Sequence, residues 1–123
     1  MFYIRVLPEH EKSPTDERLG QICIGDFSEK FVCSLAPVEK LESNWANQLR
    51  SLIGGAHSIA LVHDPRFAWI VYRENRKCFV QQVLSLTGDF KEYLDHRVTK
   101  TEDGEQISEW STTIEEISEF LGA

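Results

Sequence analysis

Residues 37–55 read PVEKLESNWANQLRSLIGG. Val38, Leu41, Trp45, Leu49, Leu52 and Ile53 recur at steps of 3, 4, 4, 3 and 1, the spacing that stacks apolar side chains along one face of an α-helix. Glu39, Lys40, Glu42, Asn44, Asn47 and Arg50 fall on the other face. Pro37 suits the first helical position, where its fixed φ matches the helix and its missing N–H costs nothing; Gly54 suits a left-handed residue ending the last turn. The spacing predicts one amphipathic helix, and such a stripe needs a sheet to cover it.

Residues 58–62 (SIALV), 67–73 (FAWIVYR) and 77–86 (KCFVQQVLSL) are rich in β-branched and aromatic side chains. His63, Asp64, Pro65 and Arg66 break the first pair, and Glu74, Asn75 and Arg76 the second. Such short polar breaks predict an antiparallel meander lying on the helix. Upstream, residues 2–7 read as a strand and residues 8–20 (PEHEKSPTDERLG) as a loop. Residues 21–25 and 30–35 read as hairpin arms, with Phe31, Cys33 and Leu35 on the face that can be buried. Downstream, residues 88–97 predict a single helical turn or a structured loop, residues 101–104 a turn and residues 106–112 a strand. Residues 114–121 form a final helix with Ile114, Ile117, Phe120 and Leu121 inward, Thr113 as its cap and Glu116 placed for a capping box. The prediction is one α+β domain over residues 1–123: an antiparallel sheet of about five to six strands against one main amphipathic helix, with a short C-terminal helix.

The chain of 123 residues is long enough to bury a core without disulfide or metal staples. No apolar run approaches the roughly 20 residues needed to span a bilayer, and residues 1–12 lack the length and cleavage site of a signal peptide, so a cytoplasmic location is expected. Cys23, Cys33 and Cys78 are odd in number and lack C-x-x-C spacing, which predicts buried, reduced thiols. The net charge of −7 is unevenly placed. Residues 1–100 hold all 13 Lys and Arg and 13 of the 20 acids, so they are balanced. Glu102, Asp103, Glu105, Glu109, Glu115, Glu116 and Glu119 carry the whole excess with no base among them. Such a segment repels nucleic acid and anionic lipid and attracts a cationic partner, unless it is merely a solvated terminus.

Catalytic and metal-binding patterns are sparse. The sequence has no G-x-S-x-G, G-x-G-x-x-G or P-loop, and His10, His57, His63 and His96 lack H-x-x-x-H or H-E-x-x-H spacing, so neither metal nor cofactor is expected. His63 and Asp64 could form an acid/base pair, and Cys33 or Cys78 could form a dyad with a histidine. Asp64 is more simply a turn former ahead of Pro65. Arg73, Arg76 and Lys77 beside Tyr72 and Phe79 are the only hint of nucleic-acid binding, and charge balance near an exposed turn explains them better. Trp45, Trp69 and Trp110 sit one to each apolar stripe and are expected in the core.

Several of these segments together resemble a known family. A strand hairpin leads into W-x-x-x-L-x-x-L-I-x-G at Trp45, Leu49, Leu52, Ile53 and Gly55. W-x-V-Y-R-E follows at Trp69, Val71, Tyr72, Arg73 and Glu74, then V-Q-Q-x-L from Val80 to Leu84, and D-G-x-x-I-S-E-W from Asp103 to Trp110 before a short acidic helix. This combination resembles the small immunity proteins of contact-dependent growth inhibition and related polymorphic toxin systems, over roughly residues 21–121. The resemblance implies a non-catalytic cytoplasmic inhibitor that binds the C-terminal domain of a cognate toxin, often a nuclease. An acidic surface can occupy the cationic face such an enzyme presents to phosphate. Glu102, Asp103, Glu105, Glu109, Glu115, Glu116 and Glu119 are then the candidate partner-binding residues. A small enzyme and a homo-oligomeric interaction module are the competing classes; turnover would mark the first, and self-assembly without a toxin the second.

Overall fold

The computed structural model describes residues 1–35 and 37–122. Its elements in chain order are β1 (Phe2–Val6), β2 (Leu19–Ile24), β3 (Phe27–Val32), α1 (Glu39–Ile53), β4 (Ser58–Val62), β5 (Phe67–Glu74), β6 (Lys77–Leu84), α2 (Lys91–Asp95), β7 (Trp110–Thr113) and α3 (Ile114–Leu121). The class is α+β with antiparallel pairing throughout, as expected. The strands divide into two sheets, β1-β2-β3 and β4-β5-β6-β7, rather than joining one.

Two sheets arise because each has its own apolar face to bury against α1 and α3. Phe2, Ile4, Ile22 and Ile24 from the first sheet meet Ile59, Leu61, Trp69, Val71, Cys78 and Val80 from the second. Leu41, Trp45, Leu49 and Leu52 of α1 and Ile114 and Ile117 of α3 complete this core. The second sheet is also covered on its other face, where Ala68, Ile70 and Tyr72 pack with Val83 and Phe90. That double burial explains why residues 67–72 are apolar without alternation. The sheets are pinned at two places. Trp110 of β7 stacks on Phe27 of β3 at 3.9 Å between ring centroids, and beyond β3 the Ser34 amide donates to the His63 carbonyl at 3.0 Å.

Helix α1 presents the predicted stripe, with Leu41, Trp45, Leu49 and Leu52 buried. Trp45 also donates its indole N–H to the Val62 carbonyl at 2.8 Å, which locks the helix to β4. The ends differ from expectation. Pro37 lies ahead of the helix and contributes its carbonyl to the Lys40 amide at 3.1 Å. Gly54 keeps a right-handed φ of −73°, and the positive φ falls on Gly55 at 119°. A left-handed stop at Gly54 is unnecessary because Arg73 caps the helix instead: its Nη1 donates to the carbonyls of Leu52 at 2.7 Å and Ile53 at 3.0 Å.

Other features also depart from expectation for local reasons. The first hairpin turns on two residues, Gly25 and Asp26, with Gly25 at φ 63° and Ile24 facing Phe27, so both arms begin earlier than the four-residue turn implied. The predicted strand at 106–112 shrinks to β7, because Gln106 bridges back to Lys100 and the Ile107 amide donates to the Thr99 carbonyl at 2.9 Å. In α3 Thr113 caps the Glu116 amide at 3.2 Å, but the Glu116 carboxylate does not close the box. It accepts instead from the Thr112 hydroxyl at 2.6 Å and the Met1 ammonium at 3.1 Å. Phe120, expected inward, is 36% exposed and rests edge-on against Phe2.

Candidate partner interface

The seven acids of the C-terminal segment fall into two groups with one carboxylate between them. Glu102, Asp103 and Glu105 ride on a turn held by its own backbone: Thr101 donates to Glu105 at 2.8 Å, Gly104 donates to Thr101 at 2.9 Å, and the Glu105 amide reaches the Thr101 hydroxyl at 3.1 Å. Gly104 takes φ 84°, which the tightness of the turn requires. All three acids are exposed and form no ion pair among the described residues. Glu115, Glu116 and Glu119 lie on α3. Glu115 pairs with Arg76, and Glu116 is taken by Thr112 and the Met1 ammonium, which leaves Glu119 exposed and unpaired among the described residues.

Glu109 is the carboxylate between them and sits apart in character. Its side chain is 14% exposed and accepts from Arg97 at both oxygens, with Nε–Oε2 at 2.8 Å, and from Gln81 at 2.7 Å. Hydrogen bonding to Arg97 holds its carboxyl below the usual glutamate range. Arg97 in turn lies 3.7 Å over the Phe79 ring and reaches Glu74 at 3.4 Å. The sequence grouped Glu109 with the free acids; here it fastens residues 97–109 to the outer face of β6. The carboxyls of Glu115 and Glu116 are also lowered, the first by hydrogen bonds to its own amide and to Arg76, the second by Thr112 and the Met1 ammonium.

Beside the 101–105 turn lies a feature the sequence did not single out. Strand β7 pairs with β6 only from Lys77 to Val80, so the end of β6 runs on without a neighbour on that side. A cleft of about 670 Å³ opens there between β6, Tyr93 of α2 and the 98–107 segment. Leu84, Tyr93, Val98 and Ile107 supply apolar surface, and Glu92 and Glu102 stand among its lining groups. Burial pushes the Tyr72 phenol up to about 12, so it keeps its proton and donates to the Tyr93 carbonyl at 2.7 Å.

The groups considered for catalysis are occupied elsewhere. His63 is buried and its Nδ1–H donates to the Val32 carbonyl at 2.9 Å; burial lowers its pKa and favours the neutral ring. Asp64 accepts from the Ser34 hydroxyl and from the Arg66 amide at 3.0 Å, as a turn former does. Cys33 and Cys78 are buried free thiols pushed up to about 11 by burial, far from the thiolate form a nucleophile needs. Among the described residues no three His, Cys, Asp or Glu gather into a metal-binding group, and no helix is long and apolar enough to cross a membrane. The basic cluster is likewise engaged, with Arg73 on α1, Arg76 on Glu115 and Lys77 over the Phe79 ring at 5.3 Å.

The family model described as the CdiI N-terminal domain matches residues 34–120. A protein named Immunity protein CdiI from Enterobacter cloacae subsp. cloacae is 25% identical over 119 residues, covering 82% of each chain. The fold is similar to a chain of a solved CdiA-CT/CdiI toxin and immunity complex from Enterobacter cloacae, with a TM-score of 0.73 over 99% of this chain and 97% of that one, at 21% identity. With that family model spanning residues 34–120, most of the chain, this chain belongs to the CdiI family of immunity proteins.

Proposed function

We propose that this chain binds and neutralises the cognate C-terminal toxin domain of a contact-dependent growth inhibition system, doing no chemistry of its own in the cytoplasm of the cell that makes it. The toxin is of the nuclease class, with a cationic surface built to hold phosphate. The observation that carries this reading is the placement of charge: within a CdiI-family chain, the whole net charge of −7 comes from the last 23 residues. The similar fold in a toxin and immunity complex supports a toxin as partner. Glu102, Asp103, Glu105, Glu109, Glu115, Glu116 and Glu119 are the candidate contacts, and the surface that meets the toxin is drawn from among them. Opposed fields would speed capture of an incoming toxin, while a few buried anchors would set how long it stays bound.

The test is titration of the purified chain into the cognate toxin domain while nucleic-acid cleavage is followed. Inhibition complete at one equivalent supports the proposal. Cleavage that persists at excess, or turnover of substrate by this chain alone, would contradict it.

A further inference from the structure

The apolar cleft beside the 101–105 turn has exposure that the fold alone does not require. Leu84 is 46% exposed, Val98 52% and Tyr93 36%, and all three line the same opening. They come from the end of β6, from the segment after α2 and from α2 itself, so their convergence is a product of the tertiary fold. Scattered single apolar residues on a surface are ordinary; a rimmed cluster around a concavity marks an interaction site.

The walls are held in place. The Tyr93 hydroxyl donates to the Leu84 carbonyl at 3.3 Å, the Gln81 amide donates to the Val98 carbonyl at 3.0 Å, and Ser58 donates to the Leu94 carbonyl at 2.6 Å. Beneath them the Arg97–Glu109 pair anchors the segment that carries Val98. A preformed pocket of this kind loses little entropy when filled, which favours tight binding. Its surroundings are predominantly acidic. Glu92 and Glu102 line the cleft, and Asp103 and Glu105 follow in the same turn, against Lys100 alone among lysines and arginines of the lining. On α3, by contrast, Arg76 and the Met1 ammonium already answer two of the three acids.

We infer that this cleft is the anchor point for the toxin domain: an apolar side chain of the toxin, flanked by Lys or Arg, enters between Leu84, Tyr93 and Val98 while the flanking cations meet Glu92, Glu102, Asp103 and Glu105. The inference rests on the toxin-neutralising reading above and narrows it. The carboxylates of the 101–105 turn steer association, the apolar walls govern dissociation, and the acids of α3 stand outside the contact.

The experiment uses the full chain and the cognate C-terminal toxin domain, with binding followed by surface plasmon resonance at several salt concentrations. Leu84→Ala with Val98→Ala is expected to raise the dissociation rate by about 10- to 100-fold with little change in association, since both residues are exposed and the variant should fold. Glu102→Lys with Glu105→Lys is expected to slow association by about 10-fold and flatten its salt dependence. Glu119→Lys with Glu115→Gln serves as the contrast and is expected to change neither rate by more than about twofold. Unchanged dissociation in the alanine pair, or a loss confined to the α3 variant, would overturn the cleft as anchor while the toxin reading survived. Failure of the unaltered chain to bind that domain at all would sink both. Light scattering completes the test: a concentration-dependent dimer that the alanine pair abolishes would assign the cleft to a second copy of this chain and overturn the inference.

Discussion

Arg97 holds Glu109 through two nitrogens while its guanidinium carbon lies over the Phe79 ring, 3.7 Å from the centroid. Charge, hydrogen bonding and an aromatic face thus meet at one arginine, which a lysine could not reproduce. The pair ties residues 97–109 across the outer face of β6 and so fixes one wall of the cleft. Glu109→Ala leaves Arg97 partly buried without its main partner, and is expected to cost about 1–3 kcal/mol of stability in urea unfolding. Glu102→Ala, by comparison, should fall within about 0.5 kcal/mol of the parent. Equal losses for the two would mean that Glu109 is no more structural than its neighbours.

Acid should act first at His63. Burial lowers its pKa from 6.5, so the folded state favours the neutral ring more than the unfolded chain does. The contribution of His63 is therefore intact above about pH 6.5 and lost as pH falls from there toward the folded value. Asp64 and Glu109 are lowered from 3.8 and 4.5, so their contributions fade only below those values. The melting temperature should decline as pH falls below about 6.5, and His63→Gln should lower it at neutral pH while flattening that slope. A slope that survives the substitution would place the acid sensitivity elsewhere.

Packing across the first sheet leaves no room at Gly20. A Cβ there would sit 2.5 Å from Phe31 Cε2 and 2.9 Å from Cys33 Sγ. Phe31 leans in turn on Trp45, His63 and Trp69, with ring centroids 5.9, 4.4 and 6.0 Å away. Displacing it disturbs the centre of the core, and Gly20→Ala should destabilise by about 1–3 kcal/mol. A neutral effect on the urea midpoint would show that the ring moves freely.

Thiol chemistry gives an independent reading of the core. Cys33 and Cys78 are buried and their thiols are pushed up to about 11. In a Cys23→Ser variant, a disulfide reagent at pH 8 should modify the two remaining thiols only as fast as the chain unfolds, and both at once in urea. Rapid labelling of either in the native state would show that the sheets open locally.

The secondary structure was legible where periodicity and turn chemistry agreed. The stripe from Leu41 to Leu52, the meander around Asp64 and Asn75, and the Thr113 cap are each specified by residues within a few positions of one another. The split into two sheets was not legible, because it depends on which apolar face meets which, and alternation alone does not encode that partner. Gly54 misled for a similar reason: the cap on α1 comes from Arg73, some twenty residues away. The charge excess of the C-terminal segment could be counted directly. Which of its carboxylates are free could not, since Arg97 and Arg76 reach Glu109 and Glu115 across 12 and 39 positions. The cleft was hidden altogether, as Leu84, Tyr93, Val98 and Ile107 belong to three different segments and carry no shared spacing.

The most direct measurement of the central claim is growth of cells expressing the cognate toxin domain with and without this chain. Growth restored by the unaltered chain, sustained by Glu119→Lys with Glu115→Gln and lost with Leu84→Ala, Val98→Ala, Glu102→Lys and Glu105→Lys combined, is the expected result. Growth arrest that continues when the unaltered chain is present at the level of the toxin would contradict the account.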